Sequence, residues 1–590
     1  MKRWPSKAIF LAGAAALGMA IPAFSQGAPE SILPPGFEEP TEPATNEVAP
    51  AGPAVPAMPV SPLPGEGQTV VTDSAVDDLA ALEEEEVEPP IEIPDGARRP
   101  LDYVGPLGPA DTGLAADAFG TANGRYLSSL MRRLDAPLPS RWASILLRRA
   151  LLSNVRTPVG VQPADWVAER AWLLLRMGEA DGARMLVQSV DVDRFTPKMF
   201  AVAVQTALAT ADPAGLCPLV APGRETSDEP VWALADAICA SLGAEAGRAS
   251  ALIDQARRRG TARGVDLLLT EKMVGAGTDS RRAVTVDWGE VDGLNTYRFG
   301  LAAATGMDIP ANLMAAAGSR MQAWQARAPM IPLERRTGAA ETAAALGVFS
   351  NPSLVEMYSL LADQTDVAEL QGSVGGRLRT AYAGRTLEAR IGAIRALWGE
   401  GDTPARRYAR QILTAVAAAQ LPPSAALDGD AHLLLASMLS AGLDDAASRW
   451  APRAASLDGD VGERAWALLA VGAPRQVFDL STGRVGGHAQ GSFLFAGLAG
   501  LGRIEEGSQG DLAQDLSVPI GQENSWTRML DQAVRNRQPG TVALLAALGM
   551  QTPRWEGVPP AHLYRIVRAL RQVGLEFEAR MIAAEALSRT

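Results

Sequence analysis

From about residue 110 to its end, this 590-residue chain keeps a single period: apolar residues recur three and four apart in segments of about 10 to 18 residues, cut by Gly, Pro or Asp. Trp166, Ala171, Leu174 and Leu175 mark one such face, and Leu563, Ile566, Val567 and Leu570 another. A stripe of this spacing lies along one side of a helix and must be buried against a neighbour. Strict alternation, the mark of a half-buried strand, is scarce. Its best case, Ala283 to Trp288 (AVTVDW), is short and leads into the next helical segment. The pattern therefore predicts an all-α body over residues 109–590, with a possible break near 276–290.

The helices also repeat in pairs. ADWVAERAWLLLRMGEADGARMLVQSV places Gly178 at the end of one helix and Ala183 five residues on in the next. DAHLLLASMLSAGLDDAASRWAPRA does the same with Gly442 and Ala447, and AHLYRIVRALRQVGLEFEARMIAAEAL with Gly574 and Ala579. Glycine supplies the left-handed backbone of a tight inter-helix turn, and a small residue early in the second helix lets an antiparallel partner approach closely. In the last helix this register places Ala579 against its partner and Ala584 nearer the outer face. Weaker echoes run from Gly243 to Ala249 and from Gly399 to Ala405.

These hairpins resemble tetratricopeptide repeats, in which a turn Gly is followed five residues later by a small Ala. The resemblance implies a right-handed superhelical solenoid of antiparallel helical hairpins; the other reading of the pattern is an irregular bundle of hairpins. Eleven tryptophans are spread along the body, from Trp142 and Trp166 to Trp526 and Trp555. That spread suits packing between helices rather than one stacking platform for glycan rings.

Ahead of the body lie two segments of different character. MKRWPSK is basic, Ala8 to Phe24 is apolar, and the small-residue site Ala23-Phe24-Ser25 precedes Gln26. This order predicts a signal peptide over residues 1–25, hence an exported, periplasmic or secreted protein with no stable transmembrane span after cleavage. Residues 26–100 hold 16 acidic residues against Arg98 and Arg99, and 15 of the 42 prolines. Proline removes backbone donors and like charges repel, so residues 26–108 are expected to form a disordered acidic linker. Outside these segments the charge nearly balances, which argues against nucleic acid as a partner.

Export changes the reading of the two cysteines. Cys217 and Cys239 either form a disulfide between neighbouring helices or remain two buried thiols. The motifs of common chemistries are missing. His432, His488 and His562 stand apart, without the one-turn spacing of a metal pair, and no G-x-x-x-x-G-K-[ST] or G-x-S-x-G segment occurs. Gly497, Gly500 and Gly502 (GLAGLG) fall at a helix hairpin, with no strand before them to make a nucleotide fold. No catalytic, cofactor or metal residues are assigned. Arg148-Arg149, Arg257 to Arg259, Arg335-Arg336 and Arg406-Arg407 read as solvated helix faces, or as docking points for an acidic partner.

The expected function is a non-enzymatic scaffold whose grooves bind other proteins of the bacterial cell envelope. The alternative is a peptidoglycan- or glycan-associated factor. One form of it is a protein like the superhelical part of lytic transglycosylases, here without the Glu-Ser and Gly-Leu-Met-Gln segments of their catalytic domain.

Overall fold

The computed structural model describes residues 94–278, 284–289 and 291–590. The expected signal peptide and residues 26–93 of the expected linker lie outside the described residues. The rest is all-α: twenty-nine α-helices and one antiparallel pair of two-residue strands, Tyr103–Val104 with Val155–Arg156. Over 284–288, which carries the best of the scarce strand signals, the chain has no regular structure. A lone strand there has no neighbour to satisfy its N–H and C=O groups. The flanking helices, Gly264–Gly277 and Thr296–Ala304, pack on each other.

Helix starts follow local chemistry. Ser140, Thr196, Ser350 and Thr403 cap first-turn N–H groups, and Pro163, Pro197, Pro404 and Pro560 occupy the first turn, where no N–H is needed. The three turn glycines carry φ of +89° (Gly178), +76° (Gly442) and +84° (Gly574). After each, the next N–H bonds back five residues: Glu179 to the Leu174 carbonyl at 2.9 Å, Leu443 to Met438 at 3.0 Å, and Leu575 to Leu570 at 2.8 Å. This is the Schellman closure, which satisfies a helix carbonyl that has no intrahelical partner. Ala183, Ala447 and Ala579 are all fully buried.

The Gly243 echo differs by one position. Gly243 has φ −80°, and Ala244 takes the left-handed conformation at +64° while Glu245 bonds to the Ala240 carbonyl. Ala244 is exposed, so its methyl packs on nothing while straining the backbone. Ala244→Gly is therefore expected to stabilise the body by about 1 kcal/mol, checked by urea unfolding against Ala246→Gly, which should destabilise.

Residues 94–108, expected in the linker, belong partly to the body. Arg98 pairs with Asp193, the Arg99 amide donates to Asp191 Oδ2 at 2.9 Å, and Val104 is buried. Several arginines expected on solvated faces are also drawn inward. Arg148 bonds Glu179 at 2.8 Å, Arg149 bonds Glu578, and Arg406 bonds Glu341 at 2.9 Å, each carboxylate being buried. Other arginines close helix ends from outside: Arg170 donates to the carbonyls of Leu151 and Ser153 and also to that of Val104 in the first strand, Arg503 to Ala473, and Arg580 to Gly472. A guanidinium, with five donors in a fixed fork, suits the unpaired carbonyls of a helix C-terminus better than an ammonium does. Arg503, from an inter-helix connection, and Arg580, from a helix, thus both cap the C-terminus of the Gly459–Gly472 helix.

The two ends of the body meet. The last helix, Glu576–Arg589, packs on Arg141–Leu152 as well as on Ala431–Ser440, Gly459–Gly472, Gly491–Gly500 and Pro560–Gln572. At the seam, Glu585 accepts from Ser140 Oγ (2.6 Å), the Arg141 and Trp142 amides (2.9 and 3.1 Å) and Arg589 Nη1 (2.9 Å). Its carboxylate thus sits on the N-terminus of the Arg141–Leu152 helix, where the backbone dipole favours negative charge. The Arg141 guanidinium meets the carbonyls of Ser440 (3.2 Å), Phe349 (2.9 Å) and Ala344, joining the ends of two more helices. Burial pulls its pKa below the ordinary arginine value.

This closure corrects one expectation. Ala584 is not on an outer face: it is 1% exposed, because neighbours surround the terminal helix on every side. Ala579→Leu and Ala584→Leu should both destabilise, each by about 1–3 kcal/mol through overpacking. Thermal unfolding of the two variants beside wild type checks this, and a tolerant Ala584 would contradict the central placement.

Candidate protein-binding surface

The singled-out residues do not gather into one place. The turn glycines and their alanines are distributed among separate hairpins, and the histidines are held individually. His562 Nδ1 lies 2.9 Å from the Gly549 carbonyl with its ring over Trp526, His488 Nδ1 accepts from the Gln490 amide at 3.0 Å, and His432 is partly buried. Burial lowers the pKa of both His432 and His488, favouring their neutral forms. Nine of the body's tryptophans are buried, while Trp288 and Trp526 are partly buried against the core. Gly497 and Gly500 are contact points between helices: a Cβ on Gly500 would lie 2.9 Å from Val567, and one on Gly497 3.1 Å from Ala583.

Cys217 and Cys239 do come together. Their Cα atoms are 5.5 Å apart and their sulfurs are joined as a disulfide between the Cys217–Thr226 and Pro230–Leu242 helices.

Arg335-Arg336 is the arginine pair that lies beside exposed apolar surface. The connection Ala328–Pro332 carries two prolines, and Pro332 ends in an extended conformation at the start of the Leu333–Leu346 helix. Ile331 is buried and pins this connection, which leaves Met330 59% exposed. Across from it runs the Asn351–Gln364 helix, whose Leu354, Met357 and Tyr358 face the core while Leu360 stands 49% exposed. Between them opens a cleft of about 440 Å³, lined by Pro329, Met330, Leu333, Arg336, Leu360 and Gln364 among others. Val367, 89% exposed, follows three residues beyond Gln364.

Two charged side chains line this cleft, the exposed Glu334 and the partly buried Arg336. Arg335 is engaged by Asp308, whereas Arg336 has a buried Nε with no hydrogen-bond partner, and its pKa is lowered by burial. A guanidinium partly withdrawn from water beside apolar walls would gain from a carboxylate or carbonyl brought in by another molecule. The arginine pair was legible in the sequence. Met330 and Leu360 were not, since an exposed apolar residue in a helical pattern reads as core; the Pro329-Met-Ile-Pro332 spacing is the one local sign of a chain held away from helix.

No family model, no curated protein and no solved structure matches this chain. Among the described residues, no helix is long and apolar enough to cross a membrane.

Proposed function

We propose that this protein is an exported, non-enzymatic scaffold of the bacterial cell envelope, built from degenerate tetratricopeptide-like hairpins in a right-handed superhelix. On this reading it acts in the periplasm by binding other envelope proteins. The observation that carries the proposal is the Met330–Leu360 cleft: exposed apolar side chains next to a half-buried, incompletely bonded Arg336. Contiguous exposed apolar surface with a charged anchor is characteristic of sites covered by a partner. The partner chemistry that fits is an apolar side chain next to a carboxylate. The basic, apolar and small-residue order of residues 1–26 supports export.

The test is a photo-crosslinking residue at Leu360 in the native cell, with Arg258, exposed on the Ala246–Arg259 helix, as control. A discrete crosslinked protein from position 360 alone, lost when Met330→Asp is added, is the expected result. Equal yields from both positions, or none from 360, would refute the docking surface. Mature protein beginning near Gln26 checks the export step independently.

A further inference from the structure

The Gly124–Arg133 helix, the Ser525–Arg535 helix and the start of the Pro539–Leu548 helix enclose a second cleft, of about 470 Å³. Its floor is apolar, made by Ala122, Tyr126, Met529 and Ala533, with the Tyr126 hydroxyl 3.1 Å from Met529 Sδ. Its rim is basic. Arg528 lines the cleft, and Arg535, two turns further along the same helix, donates at 2.7 Å to the side chain of Gln532, which also lines it. Arg125 stands on the opposing helix beside Tyr126, its Nε 3.1 Å from the Gly160 carbonyl.

All three arginines are exposed and bonded to neutral oxygens, Arg528 reaching only Ser525 Oγ at 3.5 Å. Among the described residues none of them pairs with a carboxylate. Asp531, the acidic residue of the Ser525–Arg535 helix, turns instead to Arg565 at 3.5 Å. Uncompensated guanidinium groups around apolar surface favour an occupant that brings both carboxylates and apolar side chains. A second copy of the same cleft would bring like charges together, and an uncharged apolar partner would leave the arginines unpaired.

The chain carries a segment of the required chemistry. Val76–Glu88 (VDDLAALEEEEVE) holds seven carboxylates and no cation, together with Val76, Leu79, Leu82 and Val87. Arg528 and Arg535 are about 10.5 Å apart at the rise of an α-helix. Glu83 to Glu86 covers about 10 Å when extended, so the two charge rows match in length. The point of attachment is also near. The described chain starts at Pro94, Tyr103 pairs with Arg156, and Gly160 meets Arg125. Nine residues from Pro94 to Tyr103 and four from Arg156 to Gly160 make up that route, against eighteen from Val76 to Pro94. The straight distance is shorter than the route, which bends through the 3-10 turn Asp95–Ala97 and the turn at Val159–Gly160.

We propose that Val76–Glu88 docks in this cleft within the same molecule, its carboxylates on Arg125, Arg528 and Arg535 and its leucines on the Tyr126–Met529 floor. A tethered occupant acts at an effective concentration in the millimolar range, so it excludes free acidic peptides of equal intrinsic affinity. The acidic stretch is then an internal competitor for a basic surface.

The test uses purified protein that retains residues 26–93, with a photo-crosslinking residue at Thr121, exposed at the edge of the cleft. It should link to a peptide within residues 76–88, with a yield independent of protein concentration. Arg528→Glu with Arg535→Glu should lower that yield about fivefold or more, and adding Glu83→Lys, Glu84→Lys, Glu85→Lys and Glu86→Lys should restore it. The same probe at Arg258, in another arginine cluster, should give no such link. Met330→Asp should leave the link from Thr121 unchanged, which separates this cleft from the Met330–Leu360 surface. Four results overturn the proposal: no link to 76–88 from Thr121, an equal link from Arg258, a yield that rises with protein concentration as for a second copy, or a yield indifferent to reversal of the arginines.

Discussion

Glu585→Ala is expected to destabilise the body by about 3–5 kcal/mol, the cost of breaking a buried ionic site by removing one partner. The carboxylate receives the Ser140 hydroxyl, two backbone amides and Arg589, and is itself almost wholly buried. Alanine leaves the Ser140 hydroxyl and the Arg141 and Trp142 amides without that acceptor in a small cavity, while Arg589 keeps only the Pro139 carbonyl. Glu585→Gln keeps the volume and one acceptor, so its loss should be smaller. The matched control is Glu463→Ala. That residue pairs with Arg484 at a half-exposed surface, where an ion pair contributes about 0–1 kcal/mol. Chemical denaturation measures the three values. Amide exchange should place the damage in residues 139–152 and 576–589, since the network holds those segments together. A loss at Glu585 no larger than at Glu463 would mean that the seam is kept by apolar packing alone.

Cys217→Ala is expected to cost about 2–4 kcal/mol, because the bridge closes a loop that the unfolded chain otherwise leaves open. The bond separates its cysteines by 22 residues. In the chain-entropy account a loop of that length gives about 3 kcal/mol. The effect should be matched by reductant on wild type and by Cys217→Ala/Cys239→Ala, and it should concentrate in the Pro197–Ala304 part of the body. Thiol labelling after denaturation without reductant checks the premise: two reactive cysteines in protein recovered from the native cell would refute it.

Much of the local structure could be read from residue order alone. The three-and-four spacing set the all-α class, and Gly178, Gly442 and Gly574 marked turns whose φ values do lie in the left-handed region. Ala183, Ala447 and Ala579 followed as buried contacts. These features are legible because their physics is local: a left-handed residue, a cap or a stripe is specified within a few positions of itself. Where the rule was only slightly broken, at Gly243 and Ala244, sequence spacing named the wrong residue of the pair, since either can end a helix and only backbone closure selects one.

Tertiary structure decided what each face is buried against. Periodicity says that the Glu576–Arg589 helix has an apolar face, but alanine is compatible with either a surface or a tight contact. Nothing in EFEARMIAAEALSR shows that the chain's last helix is enclosed or that Ala584 has no free side. The same limit applies to charge. Arg141 and Arg580 look in the sequence like arginines on a solvated face, yet each donates to carbonyls at the ends of distant helices. The pairing of Glu585 with the start of a helix more than 430 residues earlier depends on where the Glu576–Arg589 and Arg141–Leu152 helices meet, and that is fixed by the sum of many packed interfaces. Local chemistry therefore determined the helices and their turns, while long-range packing chose the central helix, the buried charges and the two clefts left open at the surface.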